Sequence, residues 1–156
     1  MLTVTGRSGI RPARKSPFQQ QFNSVRHYIT RHQPKTHPRH SVLAGLGGIV
    51  GIGMVAGLSV WSGNPFLIAP FGASAVLLFS TPDSPLSQPA HVVGGHFIGA
   101  LVGLILHAFL PDTWWAAAMG VGLAITIMSA LRLTHPPAGG NPLVVFASDP
   151  NFGFLF

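Results

Sequence analysis

Cysteine and glutamate are missing from this 156-residue chain, and its only acidic residues are three aspartates. Without cysteine there is no disulfide, no thiol nucleophile and no thiolate metal site, and the redox compartment stays open. There are no paired carboxylates to act as general acid and base together. No Ser-His-Asp set can be placed, and the glycines near Pro70 do not form a phosphate loop. An enzyme is therefore not expected, and no cofactor is called for. Charge of either sign is scarce too, at 8% of residues against about 25% in soluble domains.

What charge there is lies at one end. Arg7, Arg11, Arg14, Lys15, Arg26, Arg31, Lys35 and Arg39 fill the first 39 residues, and beyond them stand only Asp83, Asp112, Arg132 and Asp149. A soluble domain needs a charged surface, and the long remainder cannot supply one. The chain reads as an all-α, polytopic transmembrane helix bundle in contact with the lipid bilayer. The basic residues form an N-terminal tail over 1–40, without helical periodicity except for one amphipathic turn around 22–29, and the tail reads as mostly disordered. Such a tail sets topology and touches anionic lipid rather than nucleic acid. It places the N-terminus in the cytoplasm of a bacterial inner membrane, with an organelle membrane as the alternative because the tail is Arg-rich and acid-free. A signal peptide does not fit, since its apolar region belongs in the first 15–30 residues, roughly, and here apolar sequence begins near Val42.

The transmembrane domain, 41–156, divides into spans at about 41–61, 65–80, 91–110, 113–131 and 134–148. A helix of roughly 20 residues crosses a hydrocarbon core about 30 Å thick. The segments 65–80 and 134–148 are shorter and broken by glycine and proline, and whether they cross or re-enter is open. Residues 81–89 form a proline-rich polar loop, and Trp114 and Trp115 suit an interfacial belt. Glycines repeat at four-residue spacing (Gly47/Gly51, Gly53/Gly57, Gly95/Gly99/Gly103), as do Ala116/Gly120/Ala124. Such faces let helix backbones approach closely in lipid, either within one bundle or between copies in a homo-oligomer.

A shift of 67 residues aligns the two broken segments: Pro70 with Pro137, Gly72 with Gly139, Ser74 with Asn141 and Phe79 with Phe146. Short Gly/Pro-interrupted segments at matching positions of two halves are the best sequence pointer to a transporter site. With the tail inside and 65–80 crossing, Arg132 returns to the inside, as the positive-inside rule prefers, and the two repeats form an inverted pair. The same offset calls for a further span after "GFLF", so a missing final helix is expected and the chain reads as a fragment.

In "THPPAGGNPLVV" (134–145), Pro136 and Pro137 lack N–H groups, so a half-helix can begin near Pro137. Gly139 and Gly140 allow close backbone approach to a ligand. Helix N-termini attract anions; His135 and Arg132 lie just upstream, and Gly72-Ala73-Ser74 offers a second helix start with a hydroxyl. The plain alternative is that these residues only kink helices for packing. His96 and His107 share a helix face about 16 Å apart, too far for one metal ion, and each reads first as a hydrogen-bonded packing residue. His27, His32, His37 and His40 lack zinc-site spacing. Arg132 serves equally well as a topological anchor.

"APFGASAVLLFSTPDSPLSQPAHVVGGHFIGALVGL" (69–104) followed by "THPPAGGNPLVVF" (134–146) closely resembles the HPP family of integral membrane proteins, named for His-Pro-Pro, over roughly 42–156. Some members carry a C-terminal pair of CBS modules that this chain lacks. Chloroplast and cyanobacterial members are linked to nitrite transport, so the resemblance implies passage of a small inorganic anion. It marks Pro70, Gly72, Ala73, Ser74, Gly94, Gly95, His96, His135, Pro136, Pro137, Ala138 and Gly139, with Gly140 standing where alanine is the family's pattern. Ser74, Asn141, His135 and helix N-termini would replace the anion's hydration, and His135 protonation could couple protons. The rival reading is a non-transporting membrane scaffold or sensor subunit.

Overall fold

The computed structural model describes Thr30 and residues 35–148. The chain divides into two units between Lys35 and Thr36, and the architecture here is that of the second. The expected amphipathic turn at 22–29, His27, His32, Asp149 and the terminal "NFGFLF" lie outside the described residues. Among the described residues every regular element is helical: α1 (Pro38–Ser62), α2 (Ala69–Ser80), a 3-10 turn (Pro85–Ser87), α3 (Pro89–Phe109), α4 (Trp114–Ala130), a second 3-10 turn (Pro136–Gly140) and α5 (Asn141–Ser148).

Prolines mark most of the starts. Pro38, Pro70, Pro85, Pro89 and Pro136 sit at the first or second position of their elements, where a missing N–H costs nothing because that group has no helical partner. His37 caps α1, its Nδ1 accepting from the Arg39 amide at 3.2 Å. Gly63, left-handed at φ 73°, closes α1. At the end of α4 the Leu133 amide donates to the Met128 carbonyl (2.8 Å) and that of Arg132 to Ser129 (3.1 Å), which is a Schellman closure. Its left-handed residue, usually glycine, is here Arg132 at φ 58°.

Two helices are long and apolar enough to cross a membrane, α1 and α3, with α2 and α4 as shorter apolar helices. Core helices of soluble proteins pass the same length test, so the distribution of side chains decides. Val42, Ile49, Met54, Val60, Trp61, Val76, Val93, Phe109 and Trp114 are exposed, whereas His135, Asn141, Ser74 and Ser87 are buried. Polar inside and apolar outside suits lipid as the solvent.

The packing follows the small residues. The 3-10 turn at Pro136–Gly140 and α5 lie along the glycine face of α3. A Cβ on Gly95 would meet the His135 Cβ at 2.7 Å, one on Gly99 would collide with the Ala138 carbonyl, and one on Gly103 would meet the Pro142 Cα at 2.9 Å. Gly120 of α4 seats Pro142 from the other side at 3.0 Å. Around them Ile98, Val102, Ala124, Met128 and Ala138 form the apolar core. In α1, Gly47 and Gly51 receive the Phe79 ring of α2, at 2.5 and 3.1 Å, while Gly53 and Gly57 meet open space. Thus the expected glycine faces at 47/51 and 95/99/103 are packing faces within one chain.

Some boundaries differ from the sequence reading. Residues 65–68 are not helical, and α2 runs unbroken from Ala69 through Pro70 and Gly72; Pro70 starts a helix rather than interrupting one. The half-helix expected near Pro137 begins as a tighter 3-10 turn at Pro136, and the α-helix proper starts at Asn141. Pro137 is followed by Ala138-Gly139-Gly140 and then Pro142. Pro142 has no N–H to give the Ala138 carbonyl four residues back, and adjacent glycines weaken an α-helix.

Candidate functional site: a serine-bridged histidine pair

Four of the sequence-nominated residues meet in one hydrogen-bonded cluster. Ser74 in α2 is buried, and its Oγ lies 2.8 Å from His96 Nε2 and 2.9 Å from His135 Nε2. His135, with no exposed surface, directs Nδ1 to the Leu86 carbonyl at 2.8 Å. His96, in α3, directs Nδ1 to Asn141 Oδ1 at 3.2 Å, and the Asn141 amide Nδ2 donates back to the His96 carbonyl at 2.8 Å. The two imidazoles face each other edgewise with centroids 5.2 Å apart, and Phe71 packs at a right angle to His96 at 5.1 Å.

Local structure explains each placement. The glycines at 95 and 99 remove the side chains that would keep residues 135–141 off α3. The loop at 81–88 is pinned: Ser87 Oγ donates its one hydrogen to the Thr81 carbonyl (2.8 Å) and lies 3.2 Å from the Leu77 carbonyl, and Ser84 caps the 3-10 turn. That loop aims the Leu86 carbonyl at His135. His91 Nδ1 meets the Thr134 carbonyl at 3.0 Å, which anchors the entry to the second turn.

Beside the cluster lies a cleft of about 390 Å³, lined by Ile68, Phe71, Val92, Val93, Phe97 and Ala100, with His96 and Asn141 as its polar residues. The starts of both short segments border it, Ile68 and Phe71 from α2 and Asn141 from α5. They also touch directly, since a Cβ on Gly140 would lie 3.2 Å from Pro70 Cγ.

The other nominated residues are placed differently. Gly72, Ala73 and Pro136 are exposed; Pro137, Gly139 and Gly140 are half-buried. Gly72 and Gly139 have open space where a Cβ would stand. Arg132 is exposed on the turn after α4 and takes no part in the cluster. His107 is far down α3, 2.9 Å from Asp112 and edge-on to Phe146. His40 meets the Ser80 carbonyl at 3.3 Å, joining α1 to α2. Among the described residues no group of three or more His, Cys, Asp or Glu could hold a metal ion. Sequence reasoning missed Leu86 and His91. The first acts through its backbone, which carries no residue signal; the second stands near the start of a long span, where the His91–Thr134 pairing has no local cue.

Compared with known proteins, residues 33–156 match the model of the HPP transmembrane region. The chain belongs to the HPP transmembrane family. Two relatives from Dictyostelium discoideum, both described as transmembrane proteins, are 42% identical to this chain over 87 residues and 40% over 82 residues. These stretches cover 53% and 50% of this chain but only 28% and 29% of the relatives, so the aligned part is less than a third of their length. No solved structure matches the chain. Family and fold together establish an integral membrane protein of helical architecture.

Proposed function

We propose that this HPP chain carries a small monovalent anion, with nitrite the leading candidate, across the membrane as a transporter or channel rather than acting as an enzyme. One observation carries the reading. Ser74 and Asn141, the residues paired by the 67-residue offset, hold opposite ring nitrogens of the same histidine, His96, beside an otherwise apolar cleft. Polar groups inside a membrane are costly and mark pathways by default. The helices packed around this cluster carry no carboxylate, so nothing there repels an anion. The meeting of the two segment starts at Pro70 and Gly140 is the arrangement that repeated, broken helices adopt around a substrate. It supports the inverted-repeat reading. The basic tail supports a cytoplasmic N-terminus, in a bacterial inner membrane.

The test is anion flux into liposomes containing the full chain, with nitrite, nitrate, formate and chloride compared. Nitrite uptake above empty liposomes, reduced at least tenfold by His96→Ala in a protein that still folds, is the expected result. A folded protein that moves none of the four anions is instead a scaffold or sensor subunit.

A further inference from the structure

The hydrogen atoms in the cluster do not add up when both histidines are neutral. The Leu86 carbonyl can only accept, so the His135 Nδ1 facing it carries the ring hydrogen. The Asn141 orientation is fixed by its Nδ2 donating to the His96 carbonyl, so its Oδ1 faces His96 Nδ1, which must likewise donate. A neutral imidazole has one N–H, which leaves both Nε2 atoms bare. Both point at Ser74 Oγ, at 2.8 and 2.9 Å, and a hydroxyl has one hydrogen to give. One contact is therefore left as two facing lone pairs, an expensive state in a low-dielectric interior. One added proton completes every bond in the set.

We infer that Ser74, His96 and His135 form a binding site for a single proton, shared between the two Nε2 atoms through the serine hydroxyl. With the proton on His96, Nε2–H donates to Ser74 Oγ and the Ser74 O–H donates to His135 Nε2. Transfer reverses the chain. The His96 N–H bond breaks as a new O–H bond forms on Ser74, and the old O–H bond breaks as a new N–H bond forms on His135. No other reactant is needed. His96 borders the cleft and His135 is fully buried, so the proton enters at His96. A second proton would remove the acceptor at the remaining Nε2 and set two cations 5.2 Å apart, centroid to centroid. The other titratable or charged groups on the packed helices are His91 and His107 on α3 and, at the start of α1, Arg39 and His40, the latter bonded to the Ser80 carbonyl. His91 is tied to the Thr134 carbonyl and His107 to Asp112, while Asp83 and Arg132 are exposed on loops. No carboxylate on these elements balances the charge, so a bound anion does. This part rests on the proposed function, and it makes the translocated unit one anion with one proton.

Nitrogen-15 NMR of histidine-labelled full chain in lipid nanodiscs tests the site. His96→Gln and His135→Gln assign the two rings. At alkaline pH both rings are expected as Nδ1–H tautomers with bare Nε2. On acidification the pair takes up one proton, both Nε2 signals moving together, and no second proton enters while the protein stays folded. Ser74→Thr, which retains the hydroxyl, keeps the shared step; Ser74→Ala splits it into two separate titrations. If Ser74→Ala does not fold, the wild-type and Ser74→Thr titrations decide alone. Independent uptake of two protons by the wild type overturns the inference, as does an Nε2–H tautomer at alkaline pH, or no uptake before unfolding. Liposome flux separates the two claims: a single-proton titration without anion flux removes the transport reading and leaves the proton site. Flux with two protons or none bound removes the proton site alone.

Discussion

At the scale of single residues, His135 holds three elements at once: its own turn, the Leu86 carbonyl and Ser74 of α2. Truncation to alanine strands the carbonyl and leaves a cavity at a fully buried position. His135→Ala is expected to cost about 3 kcal/mol, from an unpaired buried acceptor and lost packing together. Unfolding curves in detergent measure that loss. Arg132 presents the opposite case. It holds a left-handed conformation at φ 58° that disfavours any side chain with a Cβ, by roughly 1 kcal/mol relative to glycine. Arg132→Gly is therefore expected to raise stability by about 1 kcal/mol, whereas Arg132→Ala, strained in the same way, gives no gain. The pair also tests the residue's purpose. Anion flux unchanged in Arg132→Gly, with orientation in the membrane disturbed, makes it an anchor; flux lost with orientation intact makes it a substrate contact.

Among the elements, the glycine faces were visible as a spacing before they were visible as contacts, and the contacts rank them. Gly99 faces the Ala138 backbone carbonyl, which cannot move without shifting the whole second turn. Gly99→Ala is expected to destabilise by about 1–3 kcal/mol through overpacking and to push His135 and Asn141 off His96. Gly53→Ala, in open space on α1, is the control: with no clash and a better helix former, it is expected to be neutral or up to about 1 kcal/mol stabilising. Equal losses at both positions would mean that Gly53 also packs, against a second copy of the chain. The long helices were legible because apolar runs flanked by proline leave few alternatives. The second broken segment was only half legible. Proline told where an element begins, but the competition between α and 3-10 geometry over "PPAGGNP" is settled by the fit against Gly95, Gly99 and Gly103, which lies 40 residues away in sequence. The cluster shared that difficulty. His96 looked like a packing histidine on its own helix, and only the 67-residue offset, by pairing Ser74 with Asn141, hinted that two residues from different segments converge.

For the molecule as a whole, scarcity of charge announced a membrane protein, and the buried Ser74, His135 and Asn141 beneath an apolar exterior give that reading its structural form. What the composition left open is whether the first short segment crosses. The 12-residue α2 rises only about 18 Å, short of a hydrocarbon core about 30 Å thick. The non-helical lead-in at 65–68 would supply roughly 13 Å more at a fully extended ~3.3 Å per residue, but the Phe66 amide bonds back to the Asn64 carbonyl at 2.9 Å, so its start is turned and the reach falls short of that limit. If they do cross, Asn64 and Asp83 lie on opposite sides, the turn at Asp112 returns to the side of Asn64, and Leu131 joins Asp83 on the other; the proposed cytoplasmic N-terminus puts Asp83 and Leu131 inside. The absence of native cysteine makes this directly measurable. Single cysteines at Asn64, Asp83, Asp112 and Leu131, all exposed positions, can be labelled with a membrane-impermeant maleimide on intact cells. Asn64→Cys and Asp112→Cys are expected to react from outside, and Asp83→Cys and Leu131→Cys only after permeabilisation. Reaction of Asp83→Cys from outside would make the first short segment re-entrant and break the opposed orientation of the two halves. Ser74, His96 and His135 would then be reached from one face only.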